Sequence, residues 1–268
     1  MISTRLSAQA SAWMVTLALF LPGGAALARE VDSDDRLLTQ FIQDGEVVAH
    51  PWLEGHINFQ GWDEGDRAAL GGLLAFTLAS DFEVGVSFAG MWVDPDGTGS
   101  DEGFSDTQVF GKVRLIEKPV VLSVGTVISL PTGDEEDGMG TGEVEMEFFG
   151  ALRKVYRPMT LVANAGFRVN QDADVHLAQG GFPRDGETEG KVSGRLGAGL
   201  IFLHGERWSY QAELSFETKR YEGHDSDLRF TPGVSFRGEH AILRAGLSLG
   251  LTDGAPDYAL LGSAVLRF

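Results

Sequence analysis

Charged side chains recur at every second residue in several apolar segments, and these residues are the ones that could carry chemistry. Glu143, Glu145 and Glu147 alternate with apolar residues, and Glu213 and Glu217 do so further along the chain. The basic residues with matching positions are Lys112, Arg114, Arg168, Lys191, Arg195, Lys219, Arg229 and Arg244. Charges of both signs on one face of a sheet would line a wet interior, either paired as salt bridges or selecting solutes by charge. We expect most of them to be paired.

A nucleophile and a base stand close together at His224-Asp225-Ser226. Residues of these types could act as the base and nucleophile of a lipid hydrolase. The surrounding glycine and aspartates are more typical of a solvated loop, so we predict no catalytic residues. The hydrolase is kept as an alternative.

The segment from Asp94 to Glu102 has the acidic spacing of a weak calcium loop. It lacks the bidentate glutamate that closes an EF-hand. We therefore favour an acidic surface loop that shares divalent ions with lipopolysaccharide. The remaining histidines, His50, His56, His176, His204 and His240, have no metal-ligand spacing. No metal or cofactor is predicted.

These charged residues are positioned by segments that alternate apolar and polar side chains with a period of two. This period is typical of β-strands, whose successive side chains point to opposite faces. The predicted strands are 52–62, 68–80, 82–93, 104–116, 119–130, 142–154, 158–170, 188–203, 206–220, 226–237, 239–252 and 256–268.

The connections between these segments alternate between tight turns and longer loops. Turns such as Ser80-Asp81 alternate with loops at 94–103, 131–141 and 171–188. This asymmetry is typical of membrane barrels. A closed sheet is also the only β-structure that leaves no backbone group unpaired in lipid. We predict an all-β fold, a transmembrane antiparallel up-and-down β-barrel of about 12 strands.

Aromatic residues near the strand ends predict two girdles at the membrane interfaces. On the loop side they are Trp62, Trp92, Tyr221 and Tyr258. On the turn side they are Trp52, Phe82, Trp208, Phe236 and Phe268.

The two ends of the chain carry export and assembly features. Residues 1–28 combine a basic residue, an apolar run and Ala-Leu-Ala, which predicts a cleaved signal peptide. Residues 29–50, the leader, lack the strand pattern and are predicted to plug the lumen or hang outside it, and residues 51–268 form the barrel. A terminal Phe268 resembles the signal that the barrel assembly machinery reads. The net charge of −18 disfavours nucleic acid as a partner.

The motif Ser129-Leu130-Pro131-Thr132-Gly133-Asp134, followed by Gly140-Thr141-Gly142, resembles the family called the MetA pathway of phenol degradation. The resemblance covers residues 104–170. It implies an outer-membrane transporter whose motif brackets an extracellular loop, and it transfers no reaction.

From the pattern and the resemblance together we expect a channel in the cell outer membrane. It would be surrounded by outer-membrane lipid and lipopolysaccharide and would take up small solutes passively, including hydrophobic or aromatic ones. The alternatives are the lipid hydrolase and a non-conducting structural barrel.

Overall fold

A computed structural model describes residues 29–39, 43–95, 99–172, 176–177, 182–184 and 188–266. The signal peptide and Phe268 lie outside these residues. Every regular element in the described ranges is a β-strand. None of the described residues forms a helix long and apolar enough to cross a membrane.

The described strands follow one another along most of the chain. They are β1 (Trp52–Trp62), β2 (Gly65–Ala79), β3 (Phe82–Pro95), β4 (Asp101–Phe104), β5 (Thr107–Ile116), β6 (Val121–Leu130), β7 (Glu145–Tyr156), β8 (Met159–Val169), β9 (His176–Leu177), β10 (Pro183–Arg184), β11 (Val192–His204), β12 (Trp208–Glu217), β13 (Asp227–Arg237), β14 (Ala241–Gly250) and β15 (Tyr258–Leu266).

Twelve of these strands close into an antiparallel barrel. Each barrel strand pairs with its sequence neighbour in the barrel, and β1 pairs with β15, for example at Leu53–Leu266. The short strand β4 pairs with β3 at the loop end, while β9 and β10 form a separate pair. The predicted strand 104–116 is thus interrupted, since Ser105 and Asp106 separate β4 from β5.

The alternation of side chains is that of a barrel with an apolar outer face. On β7, Met146 and Phe148 are exposed on the outside, whereas Glu145 and Glu147 are buried inside. Such an outside suits hydrocarbon, and the polar inside suits water. The predicted transmembrane barrel is confirmed.

The aromatic residues follow the predicted girdles only in part. Trp208 packs against Phe236 on the outer face at the turn end, with ring centroids 4.8 Å apart. Trp52 and Tyr221, however, are buried inside the barrel. For these two residues the prediction is wrong, because each has polar partners in the interior.

Candidate functional site

Four charged residues form a closed network on the inner wall. Glu147 on β7 faces Arg168 on β8, and their side chains are 3.0 Å apart. Arg195 on β11 donates to the same oxygen of Glu147 and lies 3.5 Å from Glu217 on β12. Arg168 approaches Glu217 at 3.9 Å. Strand register brings these residues together, and the two positive charges balance the two negative ones.

A second cluster lies at the loop end, around Glu145. Arg220 donates to both oxygens of this carboxylate at 2.8 Å, and the Tyr221 hydroxyl donates to it at 2.9 Å. Arg220 also donates to Asn170 at 3.1 Å. Burial raises the pKa of Tyr221, so its hydroxyl stays protonated and continues to donate.

Two cavities occupy the barrel interior. The inner cavity, of about 450 Å³, reaches down to Leu38, Thr39 and Gln43 of the leader. The mouth cavity, of about 460 Å³, lies under the loops beside Trp62 and Met139. Six residues line both cavities and therefore mark the depth at which the cavities meet. We call them the constriction ring, and they are His56, Gln108, Arg168, Glu217, Asp227 and Arg229.

The constriction ring is charged on one side and neutral on the other. Arg229 donates to Asp227 at 2.7 Å, and this pair continues the charged wall of β8 and β12. His56 on β1 and Gln108 on β5 supply the other side. A solute that passes the ring would meet paired charges on one side only.

The described part of the leader, residues 29–39 and 43–50, lies largely inside the barrel near the turn end and is held by buried cations. Arg153 donates to Asp44 at 2.7 Å and to the carbonyl of Asp35 at 2.7 Å. Lys112 donates to the carbonyls of Asp44 and Glu46. Burial would raise the pKa of Asp44, but the charges of Arg153, Arg36 and Lys112 outweigh this and lower it.

Glu213 and Glu147 hold the part of the leader that borders the inner cavity. The backbone N–H of Leu38 donates to Glu213 at 2.7 Å, and both the N–H and the hydroxyl of Thr39 donate to the same carboxylate. Gln43 donates to Glu147. Two of the predicted lumen glutamates therefore bind the leader.

Arg244 takes part in a stack around Trp52. Its guanidinium lies 5.2 Å from the Trp52 ring centroid, and that of Arg36 in the leader lies 5.5 Å from it. Arg244 is also 3.7 Å from Glu54. The stack joins the leader to β1 and β14 through cation–π contacts.

The predicted charged residues thus separate into several places. Lys112, Arg114, Glu213 and Arg244 lie where the leader docks or at the turn end, and Arg114 binds Glu46 and Asp81. Glu143 differs from the prediction, because it precedes β7 and is exposed. Lys191 pairs with Glu222 near the loop end.

Arg220 points into the barrel, whereas the prediction placed Lys219 there. The strand β12 ends at Glu217, so the alternation no longer applies beyond it, and Lys219 is exposed. His56, Gln108 and Asp227 of the constriction ring were also missed. The alternation of side chains predicts that these residues point inward. It does not predict that they lie at the same depth in the barrel.

The candidate nucleophile and metal residues have other surroundings. His224 packs edge-on against Tyr221, with ring centroids 5.3 Å apart, and the Ser226 carbonyl accepts a hydrogen bond from Thr252. Within the described ranges, no three histidine or acidic side chains are placed to hold a metal ion. Residues 96–98 of the candidate calcium loop lie outside those ranges.

Solved structures of membrane barrels resemble this one closely in fold. The COG4313 outer membrane channel from Pseudomonas putida F1 matches with a TM-score of 0.65 at 14% identity, covering 89% of this chain and 100% of that one. The chain has the fold of outer-membrane β-barrels. The KdgM porin in complex with oligogalacturonate matches with a TM-score of 0.53 at 11% identity, covering 81% and 99%.

The translocator domain of the autotransporter NalP from Neisseria meningitidis also matches, with a TM-score of 0.52 at 11% identity, covering 83% of this chain and 90% of that one. No protein-family model matches the sequence, and no curated protein does. The similarity is therefore one of fold.

Proposed function

We propose that this protein is a passive channel of the bacterial outer membrane. The observation that supports the proposal is the pair of cavities joined through the constriction ring inside a closed barrel with an apolar outside. An eight-stranded barrel is just wide enough for its own side chains to fill, and the diameter grows with the number of strands, so twelve strands leave room for such a path. The resemblance to channel barrels is consistent with this role.

The solutes would be small molecules that combine apolar and polar groups. The inner cavity places Leu73, Val127 and Leu261 in the same space as the Glu147–Arg168 network. Hydrophobic or aromatic compounds that carry hydroxyl groups suit such a lining. The resemblance of residues 104–170 to the MetA-pathway family supports the same class.

The leader would narrow the inner end of this path. It borders the inner cavity, and its buried contacts with Arg153, Lys112 and Glu213 would keep it inside. The wild-type channel is then expected to carry a small current.

Single-channel recording in planar bilayers tests the proposal. We expect a small, stable current from the wild-type protein and a larger one from a variant that lacks residues 29–50. A variant with Lys118, an exposed residue of the turn between β5 and β6, changed to Gln should conduct like the wild type. Absence of current from both the wild-type and the leaderless protein, each refolded with intact β-structure, would exclude the channel.

A further inference from the structure

The outer face of the barrel carries an open groove across β5, β6, β7 and β8. The groove holds about 710 Å³ and is almost entirely apolar. Its floor is formed by the small outward residues Gly111, Thr126, Gly150 and Ala165. The Thr126 hydroxyl donates to the carbonyl of Glu147 at 2.8 Å, so its donor is already paired within the wall. The groove is therefore an apolar depression on the face that is turned away from the two interior cavities.

Aromatic rings border this groove at both ends. Phe82, the first residue of β3, lies beside Gly111, since a Cβ at Gly111 would be 3.7 Å from the Phe82 ring. Phe148 and Phe167 border the other end and stack on each other, with ring centroids 5.3 Å apart. The groove thus runs from the turn end of the barrel into the middle of the wall, and its shape suits a long apolar chain.

Two lysines lie together at the turn end of the same face. Lys154 is on the outward side of β7, near the turn, and the ring of Tyr156 is 5.6 Å from its Nζ. This Nζ donates to the carbonyl of Pro119 at 2.5 Å, which places it beside the exposed Lys118. Glu117 is the acidic residue of that turn. Two cations against one carboxylate, in a chain with a net charge of −18, favour an anionic group at this membrane interface.

We propose that the groove binds one phospholipid, with an acyl chain in the groove and the phosphate between Lys118 and Lys154. The lipid would come from the leaflet on the turn side, which is the periplasmic one in barrels of this kind. Membrane hydrocarbon is as apolar as the groove, so the preference for this site comes from contact with its walls and from the headgroup charge. The four residues from Gly150 to Lys154 span about 13 Å of strand, which is within half of the ~30 Å hydrocarbon layer. This lipid site goes beyond the proposed channel function and does not depend on conduction.

A second copy of the chain is the competing occupant, because small residues also let membrane proteins approach closely. A two-fold axis along the membrane normal would bring the same surface of both copies together at the same depth. Lys118 and Lys154 of one copy would then lie close to those of the other, and like charges repel. The two lysines therefore favour a phosphate group over a second copy.

Native mass spectrometry of the detergent-purified protein, supplied with phosphatidylglycerol, tests the site. Gly150→Leu fills the groove, and a Cβ at this position would be 4.0 Å from the nearest neighbouring atom, the Ser123 carbonyl oxygen, so the wall can accommodate it. Gly55→Leu is the matched control. Gly55 also faces outward, on β1 and outside the groove, with 4.0 Å from its Cβ position to the Gly71 carbonyl oxygen.

One phosphatidylglycerol should stay bound to the wild type and to Gly55→Leu, and it should be lost from Gly150→Leu. Lys118→Gln with Lys154→Gln should weaken binding, by about fivefold for each lysine removed. Equal retention by the wild type and Gly150→Leu, or no retention by the wild type, would overturn the site. A wild-type dimer that Gly150→Leu dissociates would overturn it in favour of a second copy.

Planar-bilayer current separates this proposal from the channel. None of the altered residues lines either cavity, so all of these variants should conduct like the wild type. Loss of the lipid from Gly150→Leu with unchanged current would support a lipid site on the outer wall. A change in current that accompanies the loss of lipid would overturn the assignment of Gly150 to the outer wall alone.

Discussion

Removal of Arg195 would leave the charged network of the inner wall with one uncompensated negative charge. Arg195 binds Glu147 and approaches Glu217, so its charge is shared between two carboxylates. Paired charges of this kind neutralise one another and leave a lining of low net charge. The ion selectivity of the channel should therefore change in sign with the charge of the residue that is removed from this network.

Arg195→Gln should shift the channel towards cations. One unit charge acts on an ion about 4 Å away by ~1 kcal/mol even at the dielectric constant of water, which is about a fivefold change in ion concentration. Reversal potentials in a salt gradient measure the shift. Arg207→Gln, a change at a turn of β11 and β12, is the matched control and should leave the potential unaltered. An unchanged potential for Arg195→Gln would mean that ions do not pass this network.

Arg153 is one of the barrel residues that hold the leader. Arg153→Met leaves the carboxylate of Asp44 without the cation that binds it at 2.7 Å. Breaking one side of a buried pair costs about 3–5 kcal/mol. The leader should leave the barrel more often, and single-channel current should rise.

Lys154→Met is the control for that change. Lys154 is the next residue along β7 and contacts the carbonyl of Pro119. The Lys154→Met substitution removes the same positive charge as Arg153→Met but does not contact the leader. The current of this variant should therefore match that of the wild type. A rise in current for both variants would indicate a general loosening of the barrel.

The sequence predicts whether a side chain points into or out of the barrel better than it predicts which residue that side chain contacts. Alternation places Glu145, Glu147 and Glu213 correctly inside, because each lies within a continuous strand. It fails for Glu143 and Lys219, which lie beyond strand ends. Partners such as Leu38 and Glu213 are far apart in the chain, so no local pattern joins them.

At the scale of elements, the leader behaves as a docked segment rather than part of the sheet. It makes polar contacts with buried side chains of β3, β5, β7 and β12, and Leu37 packs with Val162, Ile201 and Leu203. Its composition alone left open whether it enters the barrel. The decisive contacts come from inward charges on separate strands, which exist only once the barrel has closed.

Acidification should release the leader. Burial would raise the pKa of Asp35 and of Asp44, but Arg29 and Arg237 lower the first, and Arg153, Arg36 and Lys112 lower the second. A lowered pKa in the docked state means that docking is stabilised above the ordinary value of 3.8 and loses this contribution as the pH falls below it.

Single-channel current recorded over a descending pH series checks this prediction. We expect a reversible increase below the ordinary carboxyl pKa in the wild type and no such increase in the leaderless variant. The same increase in the leaderless variant would place the titrating groups elsewhere in the barrel.

At the scale of the whole molecule, period-two alternation was enough to predict the barrel. All twelve predicted strands correspond to barrel strands, because one face had to be apolar along each of them. The constriction ring could not be predicted in the same way. Its depth depends on strand tilt and register, which bring His56 on β1 level with Arg229 on β13.

On the outer face, the cost of introducing a charged residue should depend on the depth of that residue in the membrane. Ile57 lies near the middle of β1 and is 59% exposed, whereas Leu78 lies near the turn end of β2 and is 67% exposed. Arginine on a lipid-facing site costs about 2–4 kcal/mol at the midplane and about 0–1 kcal/mol near the interface. On a water-facing surface both changes would cost within about 0.5 kcal/mol.

Denaturant unfolding of Ile57→Arg and Leu78→Arg in phospholipid vesicles separates these cases. Ile57→Arg should lower the free energy of unfolding by the larger amount, and Leu78→Arg should stay close to the wild type. Both side chains are highly exposed, so burial within the protein cannot produce the difference. Equal costs for the two variants would mean that this outer face does not contact hydrocarbon, and the proposed membrane channel would then be excluded.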